Sequence, residues 1–129
     1  MAEGLIGEFG MNKILCALLF SAFFVAPASA IDFEGKYKVE GTNINGTTYA
    51  GEATIEITSE TTCEIHWTTG ATTSDGICMR NDDSFAAAYK MQDQVGLIIY
   101  KVSPEGVLNG VWTIAGNGGA GTEILTPIK

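Results

Sequence analysis

The sequence predicts an all-β fold: a small antiparallel up-and-down barrel of about eight short strands, with a two-sheet β-sandwich as the alternative. Three observations lead there. Apolar and polar residues alternate with a period of two over most of residues 31–129. No segment there keeps helical periodicity beyond a turn or two, and turn-forming residues recur at spacings of roughly ten.

The first strand sets Tyr37 and Val39 against Lys36, Lys38 and Glu40. The second alternates Tyr49, Gly51, Ala53, Ile55 and Ile57 with Glu52, Thr54, Glu56 and Thr58. The third alternates Cys63, Ile65 and Trp67 with Thr62, Glu64, His66 and Thr68. Each pattern suits a strand with one face buried and the other in water. Further strands are predicted over 76–80, 84–90, 96–101, 107–114 and 122–127. Between them lie Asn45-Gly46, Thr69-Gly70, Asn81-Asp82-Asp83, Gln92-Asp93, Pro104-Glu105-Gly106 and a glycine-rich run over 116–121. Asn-Gly predicts a type I′ hairpin, and Ser103-Pro104-Glu105-Gly106 a type I turn with Pro at its second position.

Such short connections favour antiparallel neighbours, because a parallel crossover needs about a dozen residues or more. Closure then removes the exposed strand edges. Tyr37, Tyr49, Ile55, Trp67, Phe85, Tyr89, Leu97 and either Trp112 or Val111 compete for the inside. Strands this short are expected to fill the lumen with their own side chains and to leave no large carrier cavity.

The chain has 129 residues, enough for one domain, with 7 basic against 15 acidic side chains. That balance excludes a nucleic-acid partner, which needs a basic face. Residues 11–30, MNKILCALLFSAFFVAPASA, have the form of a cleavable signal peptide: Lys13 in a short positive region, an apolar run over 14–25, and Ala28-Ser29-Ala30 at the cleavage site. The apolar run is too short for a membrane anchor, which needs about 20 residues, and Pro27 breaks it. Residues 1–10 read as a leader added by cloning or a mis-called upstream start. The expected mature domain, 31–129, is exported to the periplasm or the medium and carries no integral membrane segment.

Cys63 and Cys78 are the two cysteines beyond that signal, and in an exported chain they are expected to pair. Closing a loop of about 16 residues stabilises by roughly 3 kcal/mol on the chain-entropy model. A cross-strand bond turns Cys78 and Gly76 inward and Ile77 and Met79 outward. Either a bulge shifts the register there, or those two side chains cover a surface patch.

The chemistry-bearing motifs are sparse. His66 is the single histidine and alternates outward with Glu64 and Thr68. No Gly-x-Ser-x-Gly elbow accompanies it, so no catalysis is expected. Asp82-Asp83 lacks the spaced acidic pattern of a calcium loop. The glycine-rich run precedes a strand and lacks the lysine of a phosphate loop. Asn45-Gly46-Thr47 matches a glycosylation sequon that the hairpin turn explains equally well. No cofactor is implied. Trp67, Tyr89 and Trp112 are the candidates to stack on a small apolar ligand at a barrel mouth.

Tyr37 through Asn43, then Asn45-Gly46, Tyr49 and Gly51, form one block of a longer likeness. It continues through Cys63–Trp67, Phe85-Ala86-Ala87-Ala88-Tyr89, residues 96–100, residues 106–113 and Gly121-Thr122-Glu123-Ile124-Leu125-Thr126-Pro127. This string resembles small exported bacterial proteins labelled fibronectin-binding. Turn glycines and core aromatics carry the likeness. Asn43-Ile44-Asn45-Gly46 departs from it, where a Pro-containing turn is expected. The resemblance implies adhesion to a host-matrix macromolecule through the surface, without catalysis. The alternatives are a small-ligand barrel and an inhibitor of an exported hydrolase that inserts a loop such as 69–75.

Overall fold

The computed structural model describes residues 32–129, so the leader and signal peptide expected over 1–30 lie outside the described residues. Eight strands follow one another: β1 (Gly35–Thr42), β2 (Thr48–Ile57), β3 (Thr62–Thr69), β4 (Thr72–Asn81), β5 (Ser84–Met91), β6 (Gln94–Val102), β7 (Leu108–Ile114) and β8 (Gly121–Pro127). Each pairs antiparallel with its chain neighbour, and β8 returns to β1, closing an up-and-down barrel. The sandwich alternative is thereby excluded.

The alternation places the side chains as read for β1 to β3. Tyr37, Val39, Ala53, Ile55, Cys63, Ile65 and Trp67 are buried, and the charges between them face water. The order in β6 corrects the reading. Leu97 and Val111 lie outside, while Ile98 and Trp112 turn inward. The run Gly96-Leu97-Ile98-Ile99-Tyr100 is apolar on both faces, so alternation alone gave it no direction; the register with β5 and β7 does. Strand β4 begins at Thr72, four residues earlier than predicted, which reduces the supposed loop over 69–75 to the two-residue turn Gly70-Ala71.

Cys63 and Cys78 stand opposite each other in the β3–β4 register with Cα atoms 4.9 Å apart, and they are disulfide-bonded. The pairing runs unbroken past them, so no bulge intervenes, and Ile77 and Met79 point outward. The Asn45-Gly46 turn also differs from expectation. Gly46 N–H donates to the Asn43 carbonyl at 2.9 Å, and only Gly46 takes a positive φ (91°), whereas type I′ requires two such residues. The Ser103–Gly106 turn has the same form, with Gly106 N–H donating to the Ser103 carbonyl at 3.0 Å, as its proline predicts.

One end of the barrel is closed. Phe33, ahead of β1, tucks into it with its ring 5.2 Å from Phe85 and beneath the Arg80 guanidinium at 4.8 Å. The Tyr37 hydroxyl fixes this segment by donating to the Phe33 carbonyl at 2.8 Å. Phe85, Leu108, Ile55 and Val39 complete a floor with no exposed surface. The disulfide lies at this end, bridging the start of β3 to the last turns of β4.

Candidate functional site

The opposite end is open. A cavity of about 310 Å³ is lined there by the rings of Tyr49, Trp67, Tyr89 and Trp112, by Met91, Ile98 and Ile114, and by Ser74 and Glu123. Its size falls within the ordinary range for small-molecule sites, about 300–1,000 Å³. The expected filling of the lumen holds for the closed half and fails for this one.

The cause is a cross-strand pattern. Tyr49 stands in register opposite Gly41, Tyr89 opposite Gly96, Tyr100 opposite Gly110 and Trp112 opposite Gly121. A Cβ at any of these four glycines would fall 2.2–2.5 Å from the facing ring. Each ring therefore lies flat across its neighbour's bare backbone instead of projecting into the lumen. All four glycines sit inside strands, Gly121 included, which the sequence reading had put in the glycine-rich loop. Laid against the wall, Tyr49, Tyr89 and Trp112 leave the mouth open. The stacks are reinforced by edge contacts of Trp112 with Tyr49 (6.3 Å between centroids) and of Trp67 with Tyr89 (5.5 Å).

At the base of the cavity sits Glu123, 4% exposed. Its Oε1 accepts from the Tyr49 hydroxyl at 2.8 Å; its Oε2 accepts from Trp67 Nε1 at 2.9 Å and from the Tyr100 hydroxyl at 2.5 Å. Three donors compensate the loss of water around this carboxylate. Burial, followed by the charge of Glu123, raises the Tyr49 and Tyr100 hydroxyls well above the ordinary tyrosine range. The same two causes push Tyr89 up to about 12. The rim is fixed by hydrogen bonds to backbone: Tyr89 donates to the Thr113 carbonyl at 3.1 Å and Trp112 Nε1 to the Thr122 carbonyl at 3.2 Å. The glycine-rich segment packs on this rim, with the Thr113 hydroxyl donating to the Gly119 carbonyl at 2.6 Å and Gly119 against Ile44.

The three ligand candidates read from the sequence, Trp67, Tyr89 and Trp112, all line this one cavity. Glu123 was missed. It occupies an inward position of β8 between Gly121 and Leu125, so the alternation that placed the other core residues also pointed to it. His66 lies outside as expected, its Nδ1 hydrogen-bonded to Asp75, the residue opposite it in β4. Asp82 and Asp83 form the β4–β5 turn, where Asp83 approaches Lys101 at 3.9 Å.

No family model and no curated protein matches the sequence. Similarity appears in the solved structures. A redesigned β-barrel, b11L5F_LGL, superposes with a TM-score of 0.66 at 17% identity, over 75% of this chain and 92% of that one. The redesigned barrel mFAP1, bound to DFHBI, gives 0.65 at 19% identity over 73% and 94%. A structure described as the REP1-NXSQ fatty acid transporter gives 0.52 at 13% identity over 78% and 98%. At these identities the likeness is one of fold, a closed β-barrel.

Proposed function

We propose that the protein binds a small organic molecule in the open end of its barrel. The observation that carries this reading is the cavity itself, walled by four aromatic rings and floored by a single buried carboxylate. Rings laid on glycine are held in place before any ligand arrives, so little ordering is left to oppose binding. The floor specifies the ligand's orientation. Glu123 only accepts hydrogen bonds, so an apolar body against Trp67, Tyr89 and Trp112 with a donating or cationic head towards Glu123 fits, and an anionic head meets repulsion. Ligand-bound barrels among the structural relatives support the reading. Catalysis forms no part of it. The disulfide supports an oxidising, exported location.

Tryptophan fluorescence titrated with alkyl amines, alcohols and carboxylic acids of equal chain length tests this. Amines and alcohols should saturate the signal and acids should not. Trp112→Ala should weaken binding at least tenfold, and Glu123→Gln should abolish the preference for amines. A flat signal across all three series would remove the reading.

Surface recognition, the implication of the fibronectin-binding resemblance, is a second reading. The observation in its favour is an apolar outer face on β4 to β7. The inhibitory-loop reading loses its basis, because the segment named for it is a tight hairpin.

A further inference from the structure

The outside of the barrel is divided. On β1 to β3 the outward positions include Lys38, Glu40, Glu52, Glu56, Glu64 and His66. On β4 to β7 two adjacent registered rows run across four strands without a charge. One is Met79, Ala86, Ile99 and Val111; the other is Ile77, Ala88, Leu97 and Thr113. Ile77, Met79, Leu97, Ile99 and Val111 are each 55–69% exposed. Contiguous apolar patches of this kind mark interaction sites on soluble proteins. Charges on the first three strands exclude the all-round apolar belt by which a barrel spans a membrane.

We propose that this face binds a second copy of the same chain. Its relief is self-complementary. On β5 the outward residues are the small Ala86 and Ala88, and on β6, beside them in register, the large Leu97 and Ile99. A groove thus adjoins a ridge. A two-fold axis running along the strands, between the two faces and midway between β5 and β6, lays each β6 over the other copy's β5. Ile99 then meets Ala86 and Leu97 meets Ala88, twice over, which is the reciprocal arrangement an isologous contact requires. On the curved wall of the closed barrel, β4 and β7 fall away to either side and flank this contact. The large apolar side chains of the two rows, each more than half exposed, are the surface this contact removes from water. Charge points the same way. The chain carries a formal net charge of −8, and this contact joins the uncharged faces while the acidic strands β1 to β3 stay apart. Nothing in it involves the cavity at the barrel mouth.

Sedimentation equilibrium on the purified protein should give twice the mass that the same sample shows in denaturant. Ile99→Lys and Ala86→Glu, tested singly, should each yield monomers with unchanged near-ultraviolet circular dichroism. Mixing those two monomers should restore dimers, because the new lysine of one lies over the new glutamate of the other. A wild-type monomer at all concentrations would overturn the proposal and leave the face to a different protein. So would dimers that survive both substitutions, or wild-type protein that floats with phosphatidylcholine vesicles and loses this on Ile99→Lys.

Discussion

The two ends of this barrel are made by the same eight strands and treat their aromatic residues in opposite ways. At the closed end Phe33 and Phe85 project inward and pack on each other, and the lumen is full. At the open end Tyr49, Tyr89 and Trp112 lie flat on glycines of the next strand, and the lumen is empty to about 310 Å³. Aromatic content is therefore no measure of filling. At the mouth the residue opposite the ring matters: Gly41, Gly96 and Gly121 let Tyr49, Tyr89 and Trp112 lie against the wall. Packing is concentrated at one end, and a cavity is left at the other.

Emptying the closed end gives the sharpest contrast. Phe85→Ala should cost about 3–5 kcal/mol in urea denaturation, while the molecules that remain folded keep their ligand affinity within about twofold. An equal loss of affinity would show that the ends are coupled. Replacing Cys63 and Cys78 together by serine comes next in size. It should lower stability by roughly 3 kcal/mol through the freed chain of the unfolded state, again with binding intact; an unchanged melting temperature would refute that role.

The smallest effect belongs to pH and touches both ends. Burial and then Asp32 push Tyr37 up to about 12 at the closed end, and burial with Glu123 does the same for Tyr89 at the open end. A hydroxyl whose folded pKa exceeds its unfolded value of 10.0 holds its proton more tightly when folded. Its contribution is fully present below about pH 10 and is lost as pH rises through about 12. Absorbance of tyrosinate should accordingly stay flat past pH 10 and climb together with unfolding. A separate early rise would mean that at least one of these tyrosines is open to water in the folded protein.

Much of this was legible in residues alone. Period-two alternation marked the strands and inward faces of β1 to β3, and the cysteine pair followed from Cys63 and Cys78 being the two cysteines beyond the expected signal. Trp67, Tyr89 and Trp112 were found because aromatic residues at inward strand positions have few other places to go. The failures share a cause. Alternation is silent where both faces are apolar, which hid the outward course of Leu97 and Val111. Whether a lumen is filled depends on which residues meet across strands, and that register is a long-range property. Nothing in the sequence around Gly41 and Gly96 says that Tyr49 and Tyr89 lie on them; the register across strands does.

Closure of β8 onto β1 sets the order of events when the chain folds. Seven of the eight strand pairings join neighbours through short turns and can form as local hairpins. The eighth brings Lys38 against Thr126 and must wait for nearly the whole domain. Loop-closure entropy falls on that single step, which makes it the slow one. Until it is taken, β1 and β8 are the two free edges of a curled ribbon, able to pair with another chain as readily as with each other. Ring closure thus separates a closed barrel from a sheet with two free edges, and substitutions along the β1–β8 seam should slow folding more than they hasten unfolding.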